Sequence, residues 1–256
     1  MSLTALHAIA IAAAGLAAGT INTVVGSGTL ITFPVLIALG YPPVTANVSN
    51  TIGLVPGAVT GAYGFRAELS GQGRRTRILA VASVTGGVLG AIALLTLPAS
   101  AFKAIVPAFI GLALVLVVAQ PWVDRALAHR RADAGRERSE YGGRGALAGT
   151  LAAGIYGGYF GAAQGIMLLA VLGLTLDESL SRVNAVKVVL AGLVNLVSGL
   201  LFALVAHVAW DVAAVIAAGS TVGGVLGARI GRRLDPRALR LLVVVVGVSA
   251  IVRLVS

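Results

Sequence analysis

Two glycine-broken stretches hold the residues best suited to binding chemistry. The first reads Asn22-Thr23-Val24-Val25-Gly26-Ser27-Gly28-Thr29. The second reads Tyr156-Gly157-Gly158-Tyr159-Phe160-Gly161-Ala162-Ala163-Gln164-Gly165. Glycine lets backbone N–H groups turn inward, and Asn22, Ser27, Thr29, Tyr159 and Gln164 add side-chain donors. A short apolar helix is expected after each break, with its positive dipole end at the break. Two such ends facing one centre favour an anion. The glycines also have a plainer reading, close helix packing of the small-xxx-small kind.

The helix after each break carries a polar stripe. In the first half it is Asn47, Ser49, Asn50 and Thr51, and in the second Asn184, Lys187, Asn195 and Ser198. The candidate substrate-binding set is therefore Asn22, Ser27, Gly28, Thr29, Asn47, Asn50, Tyr159, Gln164, Asn184, Lys187 and Asn195. An ionisable group inside a membrane span is a functional candidate by default, which makes Lys187 a candidate fixed charge. Lying one or two turns inside its helix, it could equally snorkel to the interface. Arg182, near Asp177 and Glu178, reads as an interfacial anchor, and Asp211 as a helix cap. No acid falls mid-span, so no carboxylate proton relay is expected. With no cysteine and three scattered histidines, neither a metal centre nor a cofactor is expected, and no nucleophile–base pair or nucleotide loop points to an enzyme.

These residues must be positioned by helices in lipid. Of 256 residues, 58% are hydrophobic and 11% charged, against about 25% charged in soluble domains. Mean hydropathy is +0.98. That composition excludes a cytosolic enzyme, a disordered regulator and a secreted disulfide scaffold. Uncharged runs divided at Gly and Pro predict long helices near 4–25, 44–64, 78–97, 102–120, 145–161, 182–206, 210–229 and 237–254. Two short apolar pieces remain, 29–39 and 164–174. Eleven helical residues reach only about 16 Å, while the hydrocarbon slab is about 30 Å thick. Each break must then lie below the membrane surface, where non-helical backbone survives only against protein or a water-filled cavity. The N-terminal apolar stretch lacks the basic flank of a signal peptide and is read as part of the fold.

The chain repeats itself. Gly86-Gly87-Val88-Leu89-Gly90-Ala91 recurs as Gly223-Gly224-Val225-Leu226-Gly227-Ala228, each copy followed by a proline, Pro98 or Pro236. Ala17-Ala18-Gly19 matches Ala152-Ala153-Gly154, and Gly26 matches Gly161. All basic residues except Lys103 and Arg253 lie in 66–77, 121–144, 177–187 and 229–240. The counterpart of basic loop 66–77 is 207–211, which has no Lys or Arg. The counterpart of basic loop 229–240 is 92–103, which has only Lys103. Because Lys and Arg loops stay cytoplasmic, this exchange predicts halves of opposite orientation. The expected fold is an all-α polytopic membrane protein of two inverted-topology repeats, about five membrane segments each, with a short broken helix in each half. The expected organisation is 1–120, a charged cytoplasmic linker 121–144, and 145–256, with both termini outside. The rival is four plus four crossings, with 29–39 and 164–174 re-entrant. The net charge of +10 sits in these loops without stacking aromatics, which argues against nucleic acid and for contact with membrane lipids.

The order of motifs resembles the TauE/SafE family of membrane anion permeases, described as sulfite exporters. The first copy is Gly15-x-x-x-Gly19, Gly26-Ser27-Gly28, Pro34-Val35-Leu36, Gly40-Tyr41-Pro42-Pro43 and Ala46-Asn47-Val48-Ser49-Asn50. The second is Gly154 to Gly165 followed by Asn184 to Lys187. It departs from the family's Gly-rich pattern at Ala162-Ala163-Gln164. The resemblance implies transport of sulfur-containing anions such as sulfite, sulfonates or thiosulfate. The expected function is a secondary transporter in the cytoplasmic (inner) membrane, moving a sulfur oxyanion or organosulfonate by alternating access. An anion channel with the same central site and a non-transporting membrane scaffold are the alternatives. The coupling ion (proton or sodium), the direction and homo-oligomerisation stay open.

Overall fold

In a computed structural model of the chain, residues 3–132, 141–230 and 236–255 are described. They form α1 (Ala5–Val24), α2 (Thr29–Ala38), α3 (Pro43–Gly53), α4 (Val55–Gly64), α5 (Arg66–Leu69) and α6 (Gly73–Thr96). These are followed by α7 (Ala99–Ala132), α8 (Gly143–Tyr159), α9 (Gln164–Thr175), α10 (Leu180–Val205), α11 (Trp210–Ile230) and α12 (Pro236–Val255). The described residues are helical or connecting, with no strand among them. Among the described residues five helices are long and apolar enough to cross a membrane: α1, α6, α7 over Ala99–Trp122, α10 and α11. The protein is an all-helical, multi-pass membrane protein.

The two short pieces appear as α2 and α9, close to their expected bounds. The helix expected over 44–64 is divided at Leu54, between α3 and α4. Pro56 explains the division: it has no N–H for the Ile52 carbonyl, and its ring crowds that carbonyl. α7 runs past Pro107 and Pro121 to Ala132, into the segment 121–144. Most of the rest of that segment, and much of basic loop 229–240, lie outside the described residues.

Glycine faces set the helix pairing. A methyl added at Gly15 would meet the Ile216 backbone, and one at Gly19 the Ser220 backbone; Gly223 and Gly227 stand as closely on Leu16 and Thr20. α1 and α11 therefore run side by side in the same direction. Gly53, Gly57 and Gly64 meet Ile216, Ser220 and Ala228 in rising order, so α3 and α4 also run parallel to α11. Gly86 meets Leu151 and Gly90 meets Ile155, so α6 runs parallel to α8. Ser83 bonds Leu190 and Gly87 meets Val194, so α6 runs parallel to α10. Gly61 meets Val188, Gly192 meets Ala58 and Gly199 meets Ile52, so α4 opposes α10. Because α1 and α4 point the same way, the chain must double back between them, and α2 makes that return. Around this layer α7 packs on α9 and α12, and α12 on α2.

One ionic cluster fastens the turn before α6 to the turn before α10. Arg75 Nη1 donates to Glu178 Oε1 at 2.8 Å, and Arg182 Nε to Glu178 Oε2 at 2.6 Å. Gln72 Nε2 donates to Arg182 O at 3.1 Å, and Arg182 Nη1 to Ser70 O at 3.1 Å. Arg182, expected as an interfacial anchor, is here bonded to Glu178, Ser70 and Gln72 of the protein itself. Partial burial pushes the Glu178 carboxyl up, yet the hydrogen bonds and charges of Arg182 and Arg75 outweigh it and hold the carboxyl below its usual range. A carboxyl lowered in the folded state contributes stability above its unfolded pKa and loses it as pH falls through the folded value. Thermal stability in detergent should therefore drop as the solution is acidified below the ordinary carboxylate range, by about 1 kcal/mol once solvent screening of this partly exposed cluster is allowed for. Glu178→Gln should lower stability at neutral pH and flatten that acid limb, and a variant with an unchanged limb would remove the cluster from this role.

Candidate functional site

The two breaks meet. Gly165 N–H donates to Gly26 O at 3.1 Å, and a Cβ added at Gly161 would lie 3.9 Å from Thr29 Oγ1. Both breaks end their helices in the same way. Val25 N–H and Gly26 N–H both donate to Ile21 O, and Phe160 N–H and Gly161 N–H both donate to Tyr156 O. Gly26 and Gly161 then turn into the left-handed region at φ 96° and 78°, which costs glycine nothing. At the second break Ala163 follows at φ 63°, a conformation an L-residue adopts at a cost of about 1–2 kcal/mol.

Asparagines from the following helices tie down the broken ends. Asn184 Nδ2 donates to Thr23 O at 3.2 Å, and Asn47 Nδ2 to Tyr159 O at 3.0 Å. Each bond runs from one half of the chain to the other. The last carbonyls of a helix lack intrahelical partners, so these bonds satisfy groups that burial would leave costly. Lys187 does the same at full burial: its Nζ donates to Asn22 O at 3.0 Å and to Thr23 O at 3.4 Å. The ammonium does not snorkel. It sits at the negative dipole end of α1, and its stem passes beneath Gly165.

The other expected residues divide as follows. Asn22 Oδ1 accepts from Gly28 N–H at 2.9 Å, so that amide, like that of Gly165, is already used within the protein. Asn50 bonds both Thr29, by Nδ2 at 3.2 Å, and Thr32, by Oδ1, which ties α3 to α2. Thr32, one turn beyond Thr29, was legible from that spacing and was missed. Ser49 accepts from Ala209 N–H and Ser198 donates to Gly87 O, so both hold helices together. Gln164 lays its carboxamide over Gly157, where any side chain would collide with it. Asn195 stands beside Asn22 and Thr23 in a narrow cleft with Ala58 and Gly192. Asp211, expected as a helix cap, instead lies within the first turn of α11 and accepts from the adjacent Val212 N–H at 2.9 Å.

Polar atoms, donors and acceptors, remain unspent. Among the described residues nine buried side-chain polar atoms have no hydrogen-bond partner, and five belong to the breaks or to the asparagines that tie them. They are Ser27 Oγ, Tyr159 OH, Gln164 Nε2, Asn47 Oδ1 and Asn184 Oδ1. A buried unpaired polar atom costs about 1–3 kcal/mol, so this concentration favours a polar occupant. An aromatic group flanks it: Phe102 and Phe109 pack on Tyr159 at 5.7 and 5.6 Å, and Phe33 on Phe160 at 5.1 Å. No cluster of three His, Asp or Glu residues able to hold a metal occurs among the described residues.

The model of the family "Sulfite exporter TauE/SafE" matches residues 11–254. The "Probable membrane transporter protein" of Haemophilus influenzae is 29% identical over 238 residues, covering 90% of this chain and 88% of that protein. The "Probable membrane transporter protein YfcA" of Escherichia coli K12 is 25% identical over 233 residues, covering 90% and 82%. No solved structure matches. A family match over nearly the whole length, on a helical fold whose two glycine breaks meet, identifies this chain as a member of the TauE/SafE sulfite exporter family and a membrane transporter.

Proposed function

We propose that the protein is a secondary transporter of a small anion, a sulfur oxyanion or organosulfonate such as sulfite, bound where the two breaks meet. The observation that carries this reading is the unspent donor set at the two breaks: Ser27 Oγ just before α2, Gln164 Nε2 at the start of α9, and Tyr159 OH on the last residue of α8. Helix starts and neutral donors replace an anion's hydration shell without burying a fixed counter-charge. Asn22, Asn47, Asn50, Asn184 and Lys187 then position the breaks, and the substrate touches Ser27, Thr29, Tyr159 and Gln164.

In this reading the halves 1–120 and 145–256 are inverted repeats joined by 121–144, and access alternates between the two membrane faces. Support comes from the opposed directions of repeat counterparts: α1 against α8, α4 against α10, and α11 against α6. The basic loops face the cytoplasm, membrane lipid surrounds the protein, and a proton or sodium ion is the candidate coupling partner. The test is uptake of labelled sulfite and of an organosulfonate into proteoliposomes. Saturable flux with counterflow is expected. Flux without saturation or counterflow would make it a channel, and none for any oxyanion above empty vesicles would refute transport.

A further inference from the structure

Packing joins the helices into groups that cut across the sequence. α1, α3, α4 and α11 are locked backbone to backbone through their facing glycines. Hydrogen bonds reinforce the lock: Ser220 Oγ to Gly53 O at 2.7 Å, Thr60 Oγ1 to Thr221 O at 3.0 Å and Thr20 Oγ1 to Gly223 O at 3.1 Å. α6, α8 and α10 form a second group in the same manner. Gly86, Gly90, Gly154 and Gly158 bring α6 and α8 into backbone contact, while Ser83 Oγ and Ser198 Oγ donate to Leu190 O and Gly87 O, each at 3.2 Å. Each group contains helices from both sides of segment 121–144.

The seam between the groups is built otherwise. Where α3 and α4 face α10, side chains meet over two apolar grooves of about 400 and 200 Å³, walled by Val55 and Leu196 in both. The polar ties joining the groups near this seam are Asn184 and Lys187 on the end of α1, and Asn47 on the end of α8. Backbone faces that interlock at van der Waals contact cannot slide without collision, because such packing is bistable rather than compliant. A seam of side chains bordered by open grooves can rearrange, and its polar ties lie where the substrate is proposed to bind.

We propose that the moving units of the transporter are these two cross-sequence bundles, α1–α3–α4–α11 and α6–α8–α10, and that they rock along the α4–α10 seam. The sequence halves are not the moving bodies. The flux arm of the test rests on the transport reading above, and the distance arm does not.

The chain has no cysteine, so an introduced pair is unique. A Cβ at Gly192 lies 2.9 Å from Ala58 Cβ across the seam, and one at Gly87 lies 3.4 Å from Val194 Cα inside a bundle. Oxidised Ala58→Cys/Gly192→Cys should lose about tenfold or more of its flux and recover it on reduction. Oxidised Gly87→Cys/Val194→Cys, which joins the two sequence halves, should keep most of its flux. Ile52→Cys/Gly199→Cys replaces the first pair if that variant does not fold. Flux through the cross-linked seam, or its loss only in the within-bundle pair, overturns the proposal. Spin labels in nanodiscs decide it without flux. The exposed Val59 and Leu200 positions, across the seam, should give a broad or two-peaked distance distribution. The exposed Val81 and Leu204 positions, inside a bundle, should give one narrow peak. One narrow peak for both pairs, or the reverse assignment, overturns the bundles as moving units. Absence of flux in the cysteine-free parent overturns only the transport reading.

Discussion

Replacing Gly165 with alanine should cut both stability and flux, because the methyl lands where the two breaks touch. The new Cβ would stand 2.5 Å from Gly26 Cα and 2.9 Å from Gly26 O. Neither obstacle is a side-chain tip that could swing aside. Both belong to backbone held by the Val25 and Gly26 bonds to Ile21 O. The breaks must separate, and the Gly165–Gly26 hydrogen bond goes with them. Overpacking of this kind costs about 1–3 kcal/mol, and the lost bond about 1 kcal/mol more. A misfit of about 1.4 kcal/mol at the substrate changes its affinity tenfold. Thermal unfolding in detergent and sulfite uptake measure the two effects. The control is Gly111→Ala, where an added Cβ meets nothing within 4 Å; it should leave both unchanged. An alanine at 165 with parent-like stability would mean that the junction is loose.

Lys187→Met should be the most destabilising substitution of a polar side chain. Methionine nearly matches the length of the stem but supplies no donors, so Asn22 O loses its bond and Thr23 O keeps only Asn184. The positive charge opposite the α1 dipole end disappears as well. About 1–3 kcal/mol follows from one buried acceptor left unpaired, and up to about 2 kcal/mol from the lost dipole interaction. Lys187→Arg keeps charge and donors and should recover part of the loss. A different role makes a different forecast. Were Lys187 the charge that meets the substrate, methionine would weaken sulfite binding while thermal stability held. The bonds to α1 favour the first outcome, and measuring both quantities on one preparation separates them.

The sequence carried the membrane class, the two broken helices and their short partners α2 and α9. Those features follow from local rules. Apolar length, a glycine pair and a proline each act over a few residues, and the repeat doubles the signal. The residues around the breaks were legible on the same grounds, since Ser27, Tyr159 and Gln164 stand within or next to the glycines. Leu54 was harder, because the helical pattern runs through it and Pro56 divides the helix only where α3 and α4 can both pack on α11.

What each polar residue does was left to the tertiary structure. Asn47, Asn184 and Lys187 look alike along the chain as ligands, yet all three reach carbonyls more than a hundred residues away. Asn50, on the polar stripe of the first half, stays with its own half and bonds Thr29 and Thr32. Composition and periodicity specify which face of a helix is buried. They do not specify which helix buries it, because in lipid many apolar faces are interchangeable partners and the choice rests on shape. Shape placed the glycines of α11 on α1 and those of α6 on α8. That pairing decided which donors were consumed as caps and which were left facing the centre.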